Sequence, residues 1–106
     1  MALDFTSIID VTKSYTNDVR RVFPVEKAIL FGSYAKGTAD AKSDIDVCFF
    51  LNNYGEKERV EIIIELLGLK RKYKTAYFEP IVFPTSELQN DNPFVKEIMR
   101  TGMEIE

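Results

Sequence analysis

Two acids separated by one residue, Asp44-Ile45-Asp46, follow a Gly32-Ser33 pair with ten residues between Ser33 and Asp44. They lie in the stretch FGSYAKGTADAKSDIDVCFF, which otherwise reads as a buried apolar strand. Withdrawing a carboxylate from water is costly unless a positive partner accompanies it. The chain contains no histidine to share that work, so a metal ion is the first candidate. Alternation along a strand puts Asp44 and Asp46 on one face, roughly 6.6 Å apart along the backbone. Ile45, Val47, Phe49 and Leu51 take the other face and are free to pack into a core. Two carboxylates that close repel each other and attract a hard divalent cation with oxygen ligands. Mg²⁺ suits such a donor set better than zinc, which favours nitrogen and sulfur.

Gly32 and Ser33 supply a matching half. A glycine lets a ligand approach the backbone, and a helical turn after it presents N–H groups to an anion. Ser33 adds a hydroxyl donor, and Lys36 and Lys42 are nearby candidates for phosphate contact. A phosphate cradle and a metal site joined by one short loop suggest a bound metal–nucleoside triphosphate. The Walker pattern G-x-x-x-x-G-K-[ST] is absent, which argues against a P-loop ATPase. An EF-hand fails because isoleucine and valine occupy loop positions where ligands are required.

The elements that must position these residues follow from periodicity. From Asp4 to Phe23, apolar residues at Phe5, Ile8, Ile9, Tyr15, Val19 and Val22 predict an amphipathic helix ended by Pro24. Val25 to Phe31 reads as a strand stopped by Gly32-Ser33, and residues 34 to 43 as a short helical turn and loop. Ile45 to Leu51 is the clearest strand, and Asn52-Asn53-Tyr54-Gly55 turns the chain. Glu56 to Lys70 predicts a second long helix with Val60, Ile63, Ile64 and Leu67 on its inner face. Ala76 to Phe83 predicts a third strand, interrupted at Pro80. Pro93 to Arg100 predicts a last helix with Phe94, Ile98 and Val95 turned inward. Gly102 is expected to cap it, and Met103 to Glu106 to return as a brief strand. Strands alternating with helices define an α/β or α+β fold, a small mixed sheet covered by helices.

Composition bounds the possibilities. The chain's 106 residues fit one domain, with 45% hydrophobic and 29% charged residues, as in ordinary globular proteins. A net charge of −3 gives no global field for nucleic acid, making it an unlikely direct substrate. The lone Cys48 forms no internal disulfide and reads as a small buried thiol, and no Cys/His cluster offers a zinc site. The N-terminus does not read as a signal peptide, and no apolar run approaches the ~20 residues of a membrane span. A cytoplasmic protein is expected. The run Lys70-Arg71-Lys72 is read as complementing a helix C-terminus rather than as a nucleic-acid patch.

The joint motif, Phe31-Gly32-Ser33, ten residues, then Asp44-Ile45-Asp46-Val47, resembles the signature of the DNA polymerase β-like nucleotidyltransferase superfamily. GSYAKGTADAKSDIDV is similar to its minimal, MntA-like branch, and the resemblance spans nearly the whole chain. It implies the polymerase β-like nucleotidyltransferase fold in a single domain, residues 1–106. It also implies a third carboxylate on a later strand, and Glu79 in AYFEPIVF is the matching position, where the family more often has aspartate. On that reading Asp44, Asp46 and Glu79 are the catalytic and metal-binding acids, holding two Mg²⁺ ions, and Gly32 and Ser33 hold the phosphates. The implied reaction moves a nucleoside monophosphate, AMP from ATP, to a hydroxyl on a partner protein. The implied partner is a small helical HEPN-type toxin for which this chain is the antitoxin. Two other readings stand beside it: a non-catalytic binding antitoxin or regulatory subunit, and a nucleotidyltransferase acting on a small molecule.

Overall fold

The computed structural model describes residues 4–40, 43–52 and 58–106. Its order is α1 (Phe5–Arg20), β1 (Val25–Phe31), α2 (Ser33–Lys36), β2 (Ile45–Leu51), α3 (Arg59–Leu69), β3 (Phe78–Pro84), α4 (Pro93–Thr101) and β4 (Met103–Glu104). The four strands form one sheet in the order β3-β2-β1-β4. β1 runs antiparallel to β2 and to β4, and β2 runs parallel to β3. The parallel pair requires a crossover, which α3 supplies. The fold is thus the mixed, helix-covered sheet expected from the sequence.

Local chemistry explains the helix limits. Asp4 caps α1 by accepting a hydrogen bond from the Ser7 N–H at 2.8 Å. The helix stops at Arg20, short of the expected Phe23; a turn follows in which the Val22 and Phe23 N–H groups both bond to the Val19 carbonyl, and Pro24 bars the helical region to Phe23 before it. Asn92 caps α4, accepting from the Phe94 and Val95 N–H groups, and Pro93 occupies the first turn, where its missing N–H costs nothing. β3 runs through Pro80 without the expected interruption. It is an edge strand, where a missing donor is tolerated.

The sheet has two unequal sides. One packs against α1 and α3 through a large core that includes Ile8, Tyr15, Val19, Val47, Phe49, Leu66 and Phe78. The Tyr15 ring stacks on Phe78 at 4.4 Å, and its hydroxyl donates to the Leu66 carbonyl at 2.7 Å. The other side carries a small cluster of Ile29, Cys48, Phe50, Val95 and Ile98 under α4.

Two inner faces differ from the periodic reading. α3 buries Ile62 and Leu66, while Val60 and Ile64 are each 63% exposed and Leu67 is 39% exposed. Seven of its residues are Val, Ile or Leu, spread around the helix, so periodicity alone does not select a side. In α4, Val95 and Ile98 point inward as expected, whereas Phe94 is 50% exposed. Phe5 and Val22 of the first predicted helix are also exposed. Gly102 does stand at the C-cap of α4, but with an ordinary negative φ. Its side chain is excluded instead by a close approach, since a Cβ would lie 2.6 Å from the Ile98 carbonyl oxygen and 2.8 Å from that of Leu30. The predicted turn at residues 53–55 and the start of the second helix at Glu56 lie outside the described residues, as does Lys42.

Candidate functional site

The site is assembled by strand register. Phe31 of β1 pairs with Asp46 of β2, and Asp46 pairs with Glu79 of β3. Directly paired residues project to the same side of a sheet. Phe31, Asp46 and Glu79 therefore form a transverse row on the α4 side, at the end of the sheet where β1 leads into Gly32. Asp44 precedes β2 and is exposed, Asp46 is half-buried, and Glu79 is exposed.

Electrostatics links the three acids. The Asp46 carboxyl is pushed above the ordinary aspartate range, first by burial and then by the negative charges of Asp44 and Glu79. Three mutually repelling carboxylates at one strand end form a site of negative potential that a cation would relieve. Among the described residues, no three acids converge tightly enough to make a ready-made metal cage. The donor set is nevertheless all oxygen, which fits a hard divalent ion that keeps some of its waters. Asp44, Asp46 and Glu79 would hold it.

Gly32 lies beside this row. Its φ of 75° is in the left-handed region that favours glycine. A Cβ there would collide with the Asp46 carboxylate, with Cγ at 3.0 Å and Cβ at 3.2 Å. Gly32 is thus required by the acid as well as by the turn, a constraint that the motif alone did not reveal. It caps α2, where Lys36 N–H bonds to the Gly32 carbonyl at 3.0 Å and Thr38 N–H to that of Ser33 at 2.9 Å. The N–H groups of a helix's first turn have no acceptor within the helix, so the segment from Ser33 onward presents donors next to the acids. Tyr34, the second residue of α2, is buried in the main core and anchors the turn there.

Cys48 follows Asp46 on the same face and is fully buried, its thiol pushed up to about 12 by burial. It is an inert packing residue, as expected. The basic run at the end of α3 also has structural partners. Lys70 donates to the Phe78 carbonyl at 2.8 Å, and Lys72 pairs with Asp18 at 2.9 Å. Asp18 had no functional or structural reading in the sequence. It is buried on α1, also accepts from the Tyr73 hydroxyl, and meets Arg21 at 3.5 Å. A cleft between the ends of α1 and α3 is lined by Asp18, Arg21, Gly68 and Lys72, away from every residue of the acidic row.

A strand pair carrying neighbouring acids beside a Gly-Ser helical turn is the arrangement that the resemblance to nucleotidyltransferases implied. The chain belongs to the nucleotidyltransferase domain family, whose model matches residues 13–100, and it is an enzyme of that class. A relative from Methanocaldococcus jannaschii named "putative protein adenylyltransferase" is 26% identical over 103 residues, spanning 92% of this chain and 98% of the relative. Two solved structures share the fold. A "putative nucleotidyltransferase" from Sulfolobus solfataricus superposes with a TM-score of 0.64 at 16% identity, over 94% of this chain and 80% of that one. A chain from a toxin-antitoxin structure with AMP-PNP gives 0.62 at 17% identity, over 89% of this chain and 72% of that one. Among the described residues, no helix is long and apolar enough to cross a membrane.

Proposed function

We propose that this protein is a single-domain, cytoplasmic protein adenylyltransferase that moves AMP from ATP to a hydroxyl of a partner protein. The observation that carries this reading is the Asp46–Glu79 register beside Gly32, with Asp44 close enough to raise the Asp46 carboxyl further. The named relative supports the protein acceptor, and the AMP-PNP-containing neighbour supports adenosine triphosphate as donor. The same neighbour, from a toxin-antitoxin structure, supports an antitoxin role; a HEPN-type toxin as acceptor is what the family resemblance implies.

Gly32 and Ser33 hold the terminal phosphates and aim the α-phosphate at the acidic row. Asp44, Asp46 and Glu79 would hold the two Mg²⁺ ions, with Glu79 the acid facing the acceptor. Divalent ions held there would supply acidification of the acceptor hydroxyl and charge stabilisation on the attacking and leaving oxygens. The acceptor oxygen bonds to the α-phosphorus as the bond to the bridging oxygen of pyrophosphate breaks. Pyrophosphate leaves, and the hydroxyl proton passes to solvent, which reaches the row through exposed Asp44 and Glu79. Asp46, partly shielded beneath them, holds the geometry.

The test is intact-mass spectrometry of the co-expressed partner after incubation with ATP and Mg²⁺. One added adenosine monophosphate, lost in Asp46→Asn, supports the reading. An unmodified partner that is still neutralised would instead identify a binding antitoxin. That second reading draws on the acids' failure to converge into a ready-made cage.

A further inference from the structure

The acidic row ends in an aromatic surface to which the reaction itself assigns no task. Phe31 is the cross-strand partner of Asp46, half-buried and on the same face. The ring of Phe94 stands edge-on to it, with centroids 6.2 Å apart and planes at 88°. Phe94 also meets Phe83 of β3, the partner of Phe50, at 6.0 Å, so its ring spans from the Phe31 end of the row toward the middle of the sheet. Two bonds to Asn92 fix its backbone at the start of α4, at 3.0 Å from its own N–H and 3.3 Å from that of Val95. Its neighbours Val95 and Ile98 already supply the helix's buried contacts at 2% exposure each, while Phe94 remains 50% exposed. A large, rigidly mounted aromatic ring is thus left open to solvent beside a phosphate-handling site.

The geometry points to Phe94, supported by Phe31, as the surface on which the nucleobase of the bound triphosphate stacks. The inference rests on the nucleotidyltransferase reading above. With the terminal phosphates at Gly32–Ser33 and the α-phosphate at Asp46, the ribose and base must leave the row on a side the phosphates do not occupy. The row itself lies on the α4 side, and Phe94 stands there against Phe31, the cross-strand partner of Asp46. An aromatic face recognises any base through its π-surface, and stacking tolerates base identity. Phe94 is accordingly an affinity and positioning residue, and selectivity among bases is expected to be weak.

The experiment measures calorimetric binding of two probes in the presence of Mg²⁺: ATP, and inorganic tripolyphosphate, which has the phosphates and no base. Phe94→Ala should weaken ATP binding by roughly 5- to 150-fold, the range for one lost base–aromatic stack, and leave tripolyphosphate unchanged. Phe94→Leu, which keeps apolar bulk without a π-face, should behave like the alanine variant, and Phe94→Trp like the wild type. Wild-type ATP affinity in the alanine variant would overturn the stacking assignment and leave the nucleotidyltransferase reading standing. So would equal losses for both probes, or full rescue by leucine, since each would make Phe94 a packing residue. Failure of the wild-type protein to bind either probe would overturn both readings together.

Discussion

The two faces of β2 are made from one seven-residue segment, and they do opposite things. Toward α1 and α3 it presents Ile45, Val47, Phe49 and Leu51, all 2% exposed or less. Toward α4 it presents Asp46, Cys48 and Phe50, and the cover is partial. The closed side accounts for most of the buried apolar surface, the main source of folding free energy. The α4 side carries charge at its open end, which the fold tolerates because the other side is so well packed. A small domain can thus place repelling acids in a central strand without a second large core.

The comparison breaks most sharply at Phe49. Its ring is fully buried and meets Tyr15 edge-on at 5.8 Å. Phe49→Ala should cost about 3–5 kcal/mol, read as a lower urea midpoint with nucleotide binding falling only as the fold is lost. An intermediate effect is expected at Gly32. Gly32→Ala forces a Cβ into the Asp46 carboxylate at a positive φ, and such strain costs about 1–3 kcal/mol. Under the proposed function Mg²⁺ should raise ATP affinity, and displacement of Asp46 should abolish that gain; unchanged affinity would mean that the acid need not lie against the glycine.

The smallest effect, and opposite in sign, belongs to Asp46→Asn. Because the Asp46 carboxyl is raised above its ordinary 3.8 in the folded protein, the native state binds that proton more tightly than the unfolded chain. Its ionisation therefore destabilises the fold, and stability falls as pH rises between 3.8 and the raised value. Asp46→Asn should remove that slope and leave the neutral-pH melting temperature equal or slightly higher. A clear loss of stability would show that Asp46 contributes to the fold as well as to the site. Asp18 on the closed side runs the other way. Burial pushes its carboxyl up, but hydrogen bonds from Tyr73 and Lys72 hold it below the ordinary value. Its contribution is present above 3.8 and lost as pH falls through the lowered value.

The contrast also explains what the sequence made legible. β1 and β2 have the predicted bounds, Val25–Phe31 and Ile45–Leu51, because a proline, a Gly-Ser pair and a change of polarity punctuate them. Gly32, Asp44 and Asp46 were legible as a motif and Glu79 only through the family resemblance; register brings Asp46 and Glu79 side by side. The inner face of α3 was not legible, since apolar residues surround the helix and only its partners decide which ones are buried. Nor was the Asp18–Tyr73–Lys72 cluster, whose members lie some fifty residues apart in sequence and join only when α1 and α3 pack. The exposed half of Phe94 was hidden for a related reason: a phenylalanine at helical spacing looks the same whether its ring is covered or open.

The edge position of β3 makes the acidic row unequal in stiffness. Asp46 stands in a strand held by ladders on both sides, whereas Glu79 stands in one held by β2 alone. Releasing Glu79 locally requires one ladder to open, and releasing Asp46 requires two. Amide hydrogens of β3 should accordingly exchange with solvent before those of β2, since local opening follows the least-supported segments. Under the proposed function, the acid that serves the nucleotide stands in the stiffer strand, and the acid that faces the acceptor has room to adjust to a partner's surface.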